Sequence, residues 1–342
     1  MRRTTWALAL SVVLAAGAAR ADSAWTGGDD LPTSPLACDA TAATAAAKPY
    51  DGGTPTGAPD RAGKPLTVVD IPKLIGIGYF NATSKGIADA DNTITSGVDG
   101  ILFAANDPVA IAPVLKKALS KGINVVGYDA NSTPDARQWF VNQAEFNGIA
   151  KSLIDNLAKE IGEEGSFAIV TSTFTTPNQA RWIAEMAAYA EKCHPKLKWL
   201  ETVEAQEDNI LSFNQATTLI NKHGDELKGI VGMTSVATPA SAEAVTQAGK
   251  CGSIAVIGLA TPNAMKPYVA KDCVKSVVLW NPVDLGYAAM YVLRAAADGT
   301  LKPGATSVKA GKLGDLQVVN GSEILLGAPF VFTKENIDKF DF

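Results

Sequence analysis

From position 66 onward the chain repeats one pattern: a short run apolar on both sides, a turn-rich break, then a stretch with apolar residues three or four apart. The runs LIGIGYF (74–80), GILFAA (100–105), INVVGY (123–128), FAIVTS (167–172), KWLETVEA (198–205), GIVGMT (229–234), IAVIGL (254–259) and VKSVVLW (274–280) predict strands. Shorter strands follow at 314–319 and 323–332. Helices are predicted over 108–120, 147–161, 177–193, 212–222, 239–248, 264–270 and 283–297. The first of these opens on Asp107-Pro108, a capping carboxylate followed by proline at the first helical position. Strands apolar on both faces that alternate with helices imply parallel sheets covered on both sides, an α/β doubly wound class. The runs are too many for one small sheet and fall into two groups, split near 140–146. No internal repeat of 20–50 residues is visible. Residues 22–66 read as an irregular leader, with one short helix at 40–48 and a turn-forming stretch at 49–65.

Residues 1–21 (MRRTTWALALSVVLAAGAARA) change the picture of where the chain works. Arg2 and Arg3 precede an apolar run over 6–18, and Ala19-Arg20-Ala21 supplies small residues for cleavage. This is the layout of a secretory signal peptide. The run is shorter than the roughly 20 residues a membrane span needs. No cysteine follows it directly, so the expectation is a periplasmic chain without a lipid anchor. Export permits disulfides, and the four cysteines, Cys38, Cys193, Cys251 and Cys273, allow three pairings. The formal net charge of −5 argues against nucleic acid, which is bound by basic faces. Only two histidines occur, His194 and His223, both at predicted helix ends and without metal or catalytic spacing. No GxGxxG, P-loop, nucleophile elbow or HExxH is present, and no cofactor or metal is expected.

In open parallel sheets, ligands sit beyond the carboxyl ends of strands. The residues at those places are Tyr79, Phe80, Asn106, Tyr128, Asp129, Asn178, Gln179, Thr234, Ser235, Trp280 and Asn281. Amides, a carboxylate and aromatics together suit a neutral polyol: the polar groups bond hydroxyls, and ring faces cover C–H faces. Bland roles compete at several positions. Asp129 precedes the turn-forming NSTPD, Asn178 and Gln179 stand at a helix start, Asn106 suits a turn, and Trp280 suits a core.

The segments IPKLIGIGYF (71–80), NVVGYDANSTPDAR (124–137), ATPNAMKPYV (260–269), LWNPVDLG (279–286) and FTKENIDKFDF (332–342) resemble the periplasmic sugar-binding proteins of ABC importers, in particular the autoinducer-2-binding and rhamnose-binding branch. The resemblance spans most of 67–342. It implies two Rossmann-like lobes with parallel sheets, joined by three hinge crossings, that close on a ligand. On that basis the first lobe is 67–141 plus 283–325 and the second 144–280 plus 328–342, with crossings at FVNQAEF, LWNPV and ILLGAPF. The implied function is capture of a monosaccharide or sugar-like ligand and delivery to an inner-membrane ABC permease, by a monomer that is not an enzyme. Competing readings are an autoinducer-2 receptor and an exported carbohydrate-active enzyme; a glycosidase uses two carboxylates across one cleft, and only Asp129 stands out.

The resemblance also implies individual roles. Lys73 matches the ligand-holding lysine of the IPKL motif, and Asp129 matches the aspartate after a first-lobe strand. An Asp-Gln pair before a helical tryptophan is here Asn178-Gln179 before Trp182. A segment giving backbone N–H groups reads Met233-Thr234-Ser235, and the hinge Trp-Asp reads Trp280-Asn281. Two carboxylates have become amides, which weakens the case for autoinducer-2 itself. Between positions 86 and 94 the family fits a longer helix, an edge strand and the start of another helix, roughly 25 residues judged against an ordinary strand–helix–strand unit. Their omission leaves a legal one-helix crossover but removes apolar cover. Finally, Cys251 and Cys273 each stand just before a strand. If those strands are neighbours, the two cysteines pair, and Cys38 pairs with Cys193 by elimination.

Overall fold

The computed structural model describes residues 36–38, 66–90 and 99–342. The expected signal peptide at 1–21, the predicted helix at 40–48 and residues 91–94 of the shortened segment lie outside them.

The first sheet begins with four parallel strands: β1 (Val68–Ile71), β2 (Gly100–Phe103), β3 (Asn124–Tyr128) and β4 (Trp139–Asn142). Helix α1 (Gly78–Ala90) follows β1, and α2 (Pro108–Ser120) follows β2. The second group contains α3 (Phe146–Ile161), β5 (Gly165–Thr171), α4 (Pro177–Cys193), β6 (Leu197–Glu204), α5 (Asn209–His223) and β7 (Leu227–Gly232). It continues with α6 (Ala237–Gln247), β8 (Ala255–Gly258), α7 (Pro262–Ala270) and β9 (Ser276–Leu279). Helix α8 (Pro282–Ala297) and strands β10 (Ser307–Lys309), β11 (Asp315–Val319) and β12 (Glu323–Leu325) return to the first sheet. Strand β13 (Phe330–Thr333) rejoins the second group.

The first sheet has the order β1-β2-β3-β4-β12-β11-β10. The second runs β6-β5-β7-β8, and a single parallel bridge, Leu259 to Val278, links it to the β9–β13 pair. The chain thus passes between the two groups three times, after β4, after β9 and after β12. The double-sided apolar pattern has its reason in the first sheet. Leu102 and Val126 join the main core, while Ile101, Phe103 and Val125 face α2 on the other side.

The predicted strand at 74–80 is not one. The strand is β1, and α1 already begins at Gly78. Tyr79, Phe80, Thr83 and Ile87 are buried at helical spacing, so the apolar run serves a helix face rather than a pleat. Helix α1 lies directly on α8. A Cβ on Gly86 would meet the Val283 carbonyl oxygen at 1.9 Å, and one on Gly286 would meet the Thr83 carbonyl oxygen at 2.0 Å. The two backbones approach so closely that only glycine fits at each point.

Four further strands correct the sequence expectation. Strand β4 uses WFVN, which the hydrophobic pattern did not single out, and β10 was likewise not expected. The single strand predicted at 323–332 is two, β12 and β13, because the chain changes sheets at 326–329. With one helix between them, β1 and β2 pair directly, from Val68 beside Gly100 to Ile71 beside Phe103. Strand β1 is therefore the sheet edge, and Val69 and Ile71 are exposed.

Two disulfides are present, Cys38–Cys193 and Cys251–Cys273. The first secures residues 36–38 to the end of α4, where Lys151 Nζ also donates to the Cys38 carbonyl at 3.3 Å. The second joins the turns that lead into β8 and β9. Among the described residues no helix is long and apolar enough to cross a membrane.

Candidate functional site

A cleft of about 360 Å³, counting its mouth, opens where the carboxyl ends of strands from both sheets converge. Lys73 follows β1, Asp129 follows β3, Glu207 follows β6, Met233-Thr234-Ser235 follow β7, Leu259 follows β8 and Trp280 follows β9. The first turn of α1 adds Tyr79 and Phe80, and the first turns of α4 add Asn178, Gln179 and Trp182.

Asp129 is the centre of the polar network. Its backbone is left-handed, with φ 60°, which turns the side chain off the end of β3 into the cleft. Such backbone costs a non-glycine residue energy, least for Asn and Asp. Tyr79 donates its hydroxyl to Asp129 Oδ1 at 2.9 Å, and Trp280 Nε1 donates to the Tyr79 hydroxyl at 2.8 Å. Asp129 Oδ2 is buried without a hydrogen-bond partner; the Lys73 ammonium stands 3.9 Å away. Burial raises the Asp129 carboxyl above its ordinary value, with Lys73 and Tyr79 working against the rise and Glu207 adding to it. Burial also pushes the Tyr79 hydroxyl well up, helped by the nearby Asp129 charge, so Tyr79 stays a donor.

Lys73 joins the two groups of strands. Its ammonium is 3.5 Å from Glu207 Oε1 and 5.8 Å above the centre of the Phe80 ring. Gln179 Nε2 donates to the same Glu207 oxygen at 3.3 Å, while Gln179 Oε1 accepts from Thr171 Oγ1 and the Ser172 N–H. The aromatic wall is continuous: Tyr79 meets Trp280 edge-on at 6.1 Å, and Trp182 lies 5.8 Å from Trp280.

Of the positions expected from sequence, Lys73, Tyr79, Phe80, Asp129, Asn178, Gln179, Met233, Ser235 and Trp280 line this cleft. Three others stand outside it. Asn106 donates to the Lys73 carbonyl at 3.1 Å and so braces the loop that carries the lysine. The Tyr128 hydroxyl donates to Asp70 Oδ1, behind the cleft. Asn281 caps α8, accepting from the Val283 and Asp284 N–H groups. The capping alternative also holds in part at Asn178, whose Oδ1 accepts from the Gln179 N–H. Sequence reasoning passed over Glu207, although it follows a predicted strand and the same carboxyl-end rule points to it. Both histidines hold surface carboxylates, His194 with Asp155 and Glu163, His223 with Glu201.

Comparison with known proteins bears on the family and the fold. Residues 71–301 match the family described as periplasmic binding protein domain. The D-ribose/D-allose-binding protein of Pseudomonas aeruginosa is 30% identical over 200 residues, which cover 56% of this chain and 61% of that protein. The chain therefore spans about three fifths of that relative's length. An ABC transporter solute-binding protein from Clostridium phytofermentas, solved with bound L-rhamnose, superposes with a TM-score of 0.74 at 27% identity, covering 80% of this chain and 97% of that one. LsrB from Clostridium saccharobutylicum, solved with AI-2, shares the fold at a TM-score of 0.75 and 22% identity, covering 81% of this chain and all (100%) of that one. A family match over more than half the chain, with the same two-sheet architecture, means that this protein belongs to the periplasmic binding protein domain family.

Proposed function

We propose that the protein is a periplasmic solute-binding protein that captures a monosaccharide between its two lobes and hands it to an ABC importer. The lobes are 67–141 with 283–325 and 144–280 with 328–342, and residues 1–21 direct export. The observation that carries the reading is Asp129 Oδ2: a carboxylate oxygen buried without a hydrogen-bond partner, in a cleft walled by Phe80, Trp182 and Trp280. Buried polar atoms have partners as a rule, and a ligand hydroxyl supplies this one. Lys73, Asn178, Gln179 and the backbone at 233–235 add the further polar contacts. The monosaccharides named with relatives, ribose or allose, rhamnose, arabinose and fucose, are the natural first candidates.

Autoinducer-2 is the second reading, favoured by Lys73, Asp129 and Gln179 standing together in the cleft. A glycosidase would use two carboxylates across one cleft. Asp129 and Glu207 are such a pair, yet both face the same ammonium, which suits two acceptors for hydroxyls better than one acid and one base. Calorimetry of the mature chain against D-ribose, D-allose, L-rhamnose, D-arabinose, D-fucose and autoinducer-2 tests the proposal, with 4-nitrophenyl glycosides as a turnover control. Saturable one-to-one binding without turnover is expected. Turnover, or no binding across the panel, overturns it.

A further inference from the structure

We propose that Glu207 is the second lobe's ligand-binding carboxylate, which accepts ligand hydroxyls opposite Asp129 and makes the cleft select an uncharged sugar over a sugar acid or sugar phosphate. This rests on the sugar-binding reading above.

The turn that carries Glu207 is built with some effort. Gln206 and Glu207 are both left-handed, at φ 51° and 56°. Non-glycine residues in that region store strain, and such strain gathers at binding sites. The turn is held by backbone bonds: the Ala205 N–H donates to the Thr171 carbonyl at 2.8 Å, and the Gln206 N–H donates to the Ser172 carbonyl at 2.8 Å. Asp208 then caps α5 through the Leu211 N–H at 2.7 Å. Between these anchors the Glu207 side chain turns inward and is only 7% exposed. A charged turn residue with no task inside would point to water, where its charge costs nothing.

The charges in the cleft do not balance. Asp129 and Glu207 supply two carboxylates and Lys73 one ammonium. The ammonium stands 3.9 Å from Asp129 Oδ2 and 3.5 Å from Glu207 Oε1. Both are longer than the 2.7–2.9 Å of a strong charged hydrogen bond, so neither carboxylate is saturated by it. The cleft lining contains no arginine, the side chain best shaped to grip a carboxylate or phosphate. An anionic ligand would meet two like charges at short range in a water-poor space. A hydroxyl-bearing neutral ring meets two acceptors, one from each lobe, and Lys73 as donor between them. Glu207, in the turn after β6, therefore gives the second lobe a carboxylate in a cleft where α4 presents the amides Asn178 and Gln179.

The test is calorimetry on wild type, Glu207→Gln and Glu207→Arg, with the panel above and the matched pairs D-ribose against D-ribose 5-phosphate and D-galactose against D-galacturonate. Circular dichroism melts of the ligand-free variants check folding. Wild type should bind the neutral member and reject the anion. Glu207→Gln should weaken neutral-sugar binding about 10- to 150-fold, the loss expected when a charged acceptor is removed. Glu207→Gln, and more strongly Glu207→Arg, should narrow the neutral-to-anion ratio, which a merely structural role would leave unmoved. Unchanged neutral-sugar affinity in a folded Glu207→Gln, or equal binding of anion and neutral sugar by wild type, overturns the assignment while sugar binding stands. Failure of wild type to bind any panel member overturns the sugar reading and this assignment with it.

Discussion

Trp280 Nε1 donates to the Tyr79 hydroxyl at 2.8 Å, which ties the end of β9 to the first turn of α1. Tyr79 has only one proton, and it goes on to Asp129 Oδ1. The relay fixes one oxygen of Asp129 and leaves the other, Oδ2, for a ligand. Asparagine tolerates the left-handed backbone at this position, so Asp129→Asn is the clean substitution. It should lower ligand affinity about 10- to 150-fold. The ligand-free melting temperature should change little, because the buried Lys73 ammonium keeps Glu207 as its counter-charge at 3.5 Å. A large drop in melting temperature with affinity intact would mean that Asp129 serves the turn instead.

Affinity should depend on pH through the same carboxylate. Burial raises the Asp129 value, so in the ligand-free fold it takes up a proton at higher pH than an ordinary aspartate. Protonated, it accepts hydroxyls poorly. The dissociation constant should therefore begin to rise on acidification while the pH is still above the ordinary aspartate range of about 3.9. The stability contribution has the opposite sense. A raised carboxyl means that the folded state binds more protons than the unfolded one in that window, so this group's contribution falls as pH rises through it. Titration calorimetry across pH on wild type and Asp129→Asn checks both, and the variant should lose this pH dependence of affinity.

The contact between α1 and α8 predicts a sharp difference between two glycines. Gly86→Ala drives a methyl into the Val283 carbonyl and should cost about 1–3 kcal/mol or more, since backbone must move. At about 2–4 °C per kcal/mol for a domain of this size, the melting temperature falls measurably. Gly148→Ala on α3 meets nothing nearer than 3.9 Å and should be neutral or stabilise by up to about 1 kcal/mol. Thermal melts of both variants decide it; equal losses would contradict the close approach.

The two disulfides should differ in weight. Cys251–Cys273 spans 22 residues and Cys38–Cys193 spans 155. Loop-closure entropy assigns them about 3 and about 5 kcal/mol. Paired Cys→Ser replacements should both lower the melting temperature, the longer loop more. A reversed order would place the weight on native packing around buried Cys273, which Thr246 Oγ1 approaches at 3.3 Å.

Much of this protein is written locally. Alternating apolar runs and amphipathic stretches decided the α/β class. Asp107-Pro108 decided the start of α2, and the carboxyl-end rule decided which residues to inspect, because each depends on neighbours within a few positions. What failed locally failed for tertiary reasons. LIGIGYF carries enough apolar residues for a strand, but packing against α8 makes its second half a helix face. WFVN becomes β4 because it is slotted between β3 and β12, and 323–332 divides because two sheets claim its ends. The site shows the same division. That Asp129 stands after a strand is legible in the chain. That Asn281 spends its oxygen on the α8 cap, that Tyr128 bonds Asp70, and that Lys73 meets Glu207 across 134 positions of sequence are settled only when two sheets close on one another. Sequence spacing determines which face a residue takes along its own element; which distant charge it meets is determined by the packing of elements that share no local signal.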